Sequence, residues 1–171
     1  HGYHVLTYRQ WPGSSKAQVD FVVVGPTGVY IVDAKSWRDV HIQSDGLQQR
    51  VFQGDDDVTE RFAGLADLGH TVQARLGEYG LAPNQVHTFA VFTNRRDLRA
   101  QVMGVDLMSE GAVVQRILGR GRQLSQSDVE TLLGHVFALF PPYSASASPA
   151  SVIVTAPPVP ATEVELLTVE E

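Results

Sequence analysis

The sequence predicts an α/β domain with a mixed central β-sheet flanked by helices. Apolar residues alternate with period two through much of the first fifty residues, and the period lengthens to nearly four between Val58 and Glu78. Strands and helices then follow one another to a final amphipathic segment, an order that suits strands and helices packed in layers.

"YHVLTYRQW" has the alternation and β-branched content of a first strand, and Pro12-Gly13 breaks it. The stretch "VDFVVVGPTGVYIVDAKSW", residues 19–37, reads as a hairpin whose turn is "GPTG". Pro26 fixes its own φ there, and Gly25 or Gly28 is free to take a positive one. "DVHIQSDGLQQRVF" predicts a second, smaller hairpin around Asp45-Gly46. From Val58 to about Glu78, the residues Phe62, Leu65, Ala66, Leu68, Val72 and Leu76 share one broad face, which predicts a helix stopped by "YGLAP". "VHTFAVFT" is a strong strand, "QVMGVDLM" a weaker one and "GAVVQRIL" a short helix. In the last helix Ser127 and Glu130 are expected to form a capping box ahead of Val129, Leu132, Leu133, Val136, Phe137 and Phe140.

The 171 residues suffice for one domain with a genuine core. That domain is expected to span residues 1–143. Residues 144–171, a Pro/Ser/Ala-rich segment closed by "TEVELLTVEE" with four Glu, are expected to be a disordered acidic tail or linker. The opening "HGYHVL" lacks Met, which predicts a fragment whose N-terminus lies upstream and leaves room for a further domain beyond either end. Apolar runs such as "FVVV" and "HVFALF" fall well short of the roughly 20 residues a membrane-crossing helix needs. The absence of cysteine excludes disulfides and thiolate metal sites and suits a cytoplasmic protein. A net charge of −6 argues against capture of nucleic acid by the whole surface, leaving local basic patches as the means of contact.

The residues at the far ends of the first hairpin carry the chemistry. If Pro26-Thr27 is a two-residue turn, Gly25 faces Gly28, Val22 faces Ile31, and Asp20 lies opposite Asp33. Opposed Cβ atoms in an antiparallel pair are roughly 4.5–5.5 Å apart, so two like charges would repel there. A divalent cation would turn repulsion into attraction. Lys35 shares the face of Asp33. Two carboxylates and a lysine fit phosphodiester hydrolysis, which needs a hard oxygen site for Mg²⁺ or Mn²⁺ and a cation beside the attacking water. A one-residue slip in register would send the two aspartates to different faces. The alternative is a solvated strand end, with Asp33 paired to Lys35 and no ion.

Asp20, the apolar run after it, "GPTGVY" and "IVDAKSW" together resemble the NERD (nuclease-related) domain, a branch of the PD-(D/E)XK nuclease superfamily. The likeness extends over most of residues 3–140, including "RQWPG" and "FAVFTN". It implies a restriction-endonuclease-like fold and a Mg²⁺- or Mn²⁺-dependent deoxyribonuclease. Asp20 takes the place of the first motif aspartate, Asp33 the (D/E) position and Lys35 the lysine, with the Ala34 carbonyl as a further metal ligand. The family's core normally begins with a glutamate-bearing helix, which this chain lacks ahead of its first strand, so the nuclease domain is expected to be truncated N-terminally. The family also often has Gly shortly after "KSW", where this chain has Arg38-Asp39.

Lys16, Arg95 and Arg96, with Arg99 and Arg38, would form a rim contacting DNA phosphates. Taken singly, each is an exposed loop cation. "GRGRQ", with Arg120 and Arg122, is a second basic loop, and Gln73 is a candidate to bond a substrate or the lysine. The scattered histidines give no zinc spacing, and "GDDD" lacks the continuation of a calcium loop. Trp11 and Trp37 flank the hairpin, where packing across the sheet end is the simplest use of them. Beside the nuclease stand two further readings: a non-catalytic nucleic-acid-binding or protein-interaction module that keeps the fold, and a purely structural domain.

Overall fold

The computed structural model describes residues 2–14 and 17–143. Strands β1 (His4–Gln10), β2 (Gln18–Gly25) and β3 (Gly28–Lys35) form an antiparallel meander. A separate three-stranded sheet follows, made of β4 (Val40–Asp45), β5 (Gln48–Gln53) and β6 (Asp56–Asp57). A 3₁₀ turn at Thr59–Phe62 leads into α1 (Ala63–Gly77), and the chain returns to the main sheet as β7 (Val86–Phe92). After β8 (Arg99–Val102) and β9 (Val105–Ser109) come α2 (Glu110–Leu118) and α3 (Gln126–Leu139).

The main sheet has the order β1-β2-β3-β7-β9-β8. β7 runs parallel to both β3 and β9, and the remaining pairs are antiparallel, so the sheet is mixed as expected. Helices α1 and α3 cover one face. There Val22, Val24, Val29 and Ile31 pack with Leu65, Val72, Leu132 and Val136 in the larger core. Helix α2 covers the other, where Tyr30, Val32, Phe89 and Val91 pack with Ile117. All six residues assigned to the inner face of the first helix are buried. Close approach of α1 to the sheet needs Gly69, because a Cβ there would lie 2.3 Å from Thr88 Oγ1 on β7.

Several local expectations are corrected. The capping box of α3 uses Ser125 and Asp128: Asp128 N–H donates to Ser125 Oγ at 3.1 Å, and Ser125 N–H donates to Asp128 Oδ2 at 2.8 Å. Starting two residues earlier, the helix gains reciprocal bonds, and Glu130 instead accepts from the Gln126 amide. "QVMGVDLM" is two strands, because Met103 and Gly104 both take positive φ and close a tight hairpin between β8 and β9. The second hairpin turns at Gly46-Leu47, one residue beyond the expected dipeptide, with Asp45 facing Gln48 and Gly46 at φ +60°. In "GDDD", Asp56 and Asp57 are a short strand, and Asp57 ion-pairs with Arg50 at 2.7 Å. The expected tail, 144–171, lies outside the described residues.

Candidate active site

The hairpin register is the expected one. Gly25 faces Gly28, Val24 faces Val29, Val22 faces Ile31 and Phe21 faces Val32, with Pro26-Thr27 as the turn and Gly28 at φ +138°. One more step along the ladder brings Asp20 level with Asp33. The described β2–β3 ladder stops at Phe21 and Val32, and Asp20 Oδ2 accepts the Ala34 backbone N–H at 2.7 Å. The Asp20 carboxylate is thereby fixed next to Asp33.

Lys35 closes the group, its Nζ 2.6 Å from Asp33 Oδ2. The same ammonium lies 5.3 Å from the centre of the Trp37 ring, whose other contacts are Phe62, Phe92 and the Arg61 guanidinium. Trp37 therefore anchors the strand end to the larger core and limits where the lysine can go. The loop after β7 holds the backbone from behind: Thr93 N–H donates to the Lys35 carbonyl at 3.1 Å, and the Asn94 amide donates to the Ser36 carbonyl at 2.8 Å.

Electrostatically, Asp33 is the strained member. Burial pushes its carboxyl above the usual carboxylate range; the hydrogen bond and charge of Lys35 pull it down, and the Asp20 carboxylate pushes it up again. A second cation beside these oxygens would relieve both burial and repulsion. The donor set, two carboxylates of a hard oxygen type, fits Mg²⁺ or Mn²⁺. Among the described residues no cluster of three or more acidic, histidine or cysteine side chains is assembled.

The other expected residues divide. Arg95 and Arg96 are exposed in the loop that holds Lys35 and Ser36, so they stand at the same end of the sheet as Asp33. With Thr93, Asn94, Ser109, Glu110 and Gly111 they line a cavity of about 410 Å³ at the start of α2. Lys16 lies outside the described residues. Gln73 is not part of the site, because its amide donates to the Pro83 and Val86 carbonyls at the opposite end of β7. Nothing local in "FAVFTN" marks Asn94; its amide holds the turn after Lys35 only because β3 and β7 pair in parallel.

No helix among the described residues is long and apolar enough to cross a membrane. No curated protein and no solved structure matched the chain. The family model of the nuclease-related domain, NERD, matches residues 1–93, which hold both aspartates, Lys35 and the loop up to Thr93. With more than half of its 171 residues matched, the chain belongs to the nuclease-related domain family.

Proposed function

We propose that this domain is a metal-dependent nuclease that hydrolyses DNA phosphodiester bonds, with Asp20, Asp33 and Lys35 at its centre. The observation that carries the reading is the hydrogen bond from Ala34 N–H to Asp20, which holds two aspartates from different strands side by side with a lysine at contact distance. Asp20 and Asp33 would hold Mg²⁺ or Mn²⁺, with the Ala34 carbonyl as a further oxygen donor. The bound ion would supply Lewis-acid polarisation of the phosphate and a water of lowered pKa.

The chain's own residues do the rest. Asp33 orients the Lys35 ammonium, and that ammonium donates a hydrogen bond to the attacking water and offsets the charge that develops on the phosphate oxygens. Water adds to phosphorus and gives up a proton to solvent as the bond to the leaving deoxyribose oxygen breaks, and that oxygen takes up a proton from solvent. Arg95 and Arg96, with Lys16, would grip flanking phosphates. A cytoplasmic setting accords with the lack of cysteine.

One observation favours a second reading, a non-catalytic module that keeps the fold. The acids already have protein partners, Asp33 in Lys35 and Asp20 in Ala34 N–H. The test is incubation of the full-length protein with supercoiled and single-stranded DNA in Mg²⁺ or Mn²⁺. Cleavage that disappears in Asp33→Asn supports the nuclease. DNA binding without cleavage in either metal supports the module, and neither binding nor metal response leaves a structural domain.

A further inference from the structure

Three parallel strands end together beside the nuclease centre. Lys35 on β3 pairs with Phe92 on β7, and Phe92 pairs with Ser109 on β9, so Ser109 stands level with Lys35 two strands away, about 10 Å across the sheet. The cavity of about 410 Å³ at the start of α2 lies at this end. One wall is the loop Thr93 to Arg96, tied to the end of β3 by the Thr93 N–H on the Lys35 carbonyl and the Asn94 amide on the Ser36 carbonyl. The other wall is Ser109, Glu110 and Gly111, the N-cap and first two residues of α2.

The donors on the helix wall are unspent. Ser109 is only 6% exposed, yet its hydroxyl neither caps α2 nor bonds any other group among the described residues. A buried hydroxyl without a partner costs free energy, and a polar ligand in the cavity it lines would supply one. The first N–H groups of a helix have no partner within it, and they carry the positive end of its dipole. At Gly111 the backbone is also open to close approach, since a Cβ there would meet no other part of the chain within 4 Å. On the loop wall Arg95 and Arg96 are exposed, and the ion pairs among the described residues involve neither. Glu110, exposed at the first position of α2, is the opposing charge.

We propose that this cavity binds a phosphate monoester, the phosphorylated end of the DNA strand that passes Asp20, Asp33 and Lys35. The strand comes from the nuclease reading, on which this inference rests; the end comes from the cavity. A monoester carries close to two negative charges and three acceptor oxygens, more than an internal diester presents. Two guanidiniums, a serine hydroxyl and a helix N–H match the fuller set. A strand crossing the ends of β3, β7 and β9 would then meet Lys35 within about three nucleotides of its phosphorylated end, at a rise of roughly 3.4 Å per nucleotide. Because Glu110 works against an anion, it is the residue that distinguishes this ligand from a cation.

The test is binding of single-stranded DNA oligonucleotides of one sequence to the full-length protein in EDTA, where no metal-dependent cleavage occurs. Three forms are compared: 5′-phosphorylated, 3′-phosphorylated, and hydroxyl at both ends. Fluorescence anisotropy should show one phosphorylated form bound about tenfold more tightly than the hydroxyl form. Ser109→Ala should lower that ratio about threefold, the double variant Arg95→Gln, Arg96→Gln should abolish it, and Glu110→Gln should raise it. In amide NMR spectra the Gly111 signal should move with the preferred form and stay in place with the hydroxyl form. Equal affinity for all three forms, or a preference that survives in the arginine double variant, overturns the proposal and leaves the nuclease reading standing. A preference that depends on these residues, with no cleavage once Mg²⁺ or Mn²⁺ replaces EDTA, supports the end-binding cavity and sinks the nuclease reading. No binding of any form, or a preference lost in Glu110→Gln, overturns the anion site. A deoxynucleoside monophosphate that displaces the phosphorylated oligonucleotide at equal concentration overturns the strand end in favour of a free nucleotide.

Discussion

Asp20 on β2 accepts the backbone N–H of Ala34 on β3 at 2.7 Å, and this one bond sets its carboxylate beside Asp33. It also uses a main-chain donor at the point where the described β2–β3 ladder ends. The cost of holding the two acids together falls on Asp33, whose carboxyl is raised above the usual range by burial and by Asp20.

The first prediction concerns acid and metal. A raised folded-state pKa means that the contribution of Asp33 to stability is fully present below its ordinary value of 3.8 and is lost as pH rises through the folded value. Without divalent metal, the midpoint of wild type relative to Asp33→Asn should therefore fall as pH rises across that interval. With Mg²⁺ or Mn²⁺ at a hundred times its Kd, wild type should gain about 2.7 kcal/mol and Asp33→Asn should gain far less. Thermal unfolding of both proteins across pH and metal concentration reads this out; equal metal responses would remove Asp33 from the ligand set.

Lys35→Ala should separate binding from turnover. The lysine is paired with Asp33 and is not an oxygen donor, so metal-induced stabilisation should persist, while DNA cleavage should fall by about two orders of magnitude, typical of losing one preorganised charge at a reacting phosphate. Isothermal titration with Mn²⁺ and a single-turnover cleavage assay make the comparison. Unchanged turnover would show that Lys35 only neutralises Asp33.

At the junction of α1 and β7, Gly69→Ala should destabilise by about 1–3 kcal/mol through overpacking, since its Cβ would meet Thr88 Oγ1 at 2.3 Å. Thr88→Ala removes that oxygen and leaves the neighbouring Cβ at 3.4 Å. The double variant should therefore be more stable than the sum of the two single changes, as close neighbours are expected to couple. Denaturant unfolding of the four proteins measures the coupling; strict additivity would mean that the helix moves away instead.

Asp39, between Trp37 and the start of β4, adopts φ +56°. Its carbonyl also accepts Gly54 N–H at 3.0 Å, which ties the start of β4 to the turn after β5. Asp39→Gly should hold or raise the unfolding midpoint, whereas Asp39→Val should lower stability by about 1–2 kcal/mol because a branched Cβ is disfavoured in the left-handed region. A valine variant as stable as wild type would mean that the loop readjusts its backbone.

The register of the first hairpin was legible in the sequence because turn chemistry is local. Pro26-Thr27 between Gly25 and Gly28 fixes the pairing, and side-chain alternation then carries Asp20 and Asp33 to the same level. The helix face from Phe62 to Leu76 was legible for the same reason, its period being written within a few turns. Competition between nearby signals was not. Ser125 prevailed over Ser127 as the cap of α3, and Met103-Gly104 divided one expected strand into two. The convergences belong to tertiary structure alone. Asn94 meets Ser36, Gln73 turns away from the site toward Pro83, and His87 stacks on Tyr30, because parallel pairing and helix docking bring together residues far apart in sequence. Those pairings minimise the free energy of the whole core, so no short stretch of sequence encodes them.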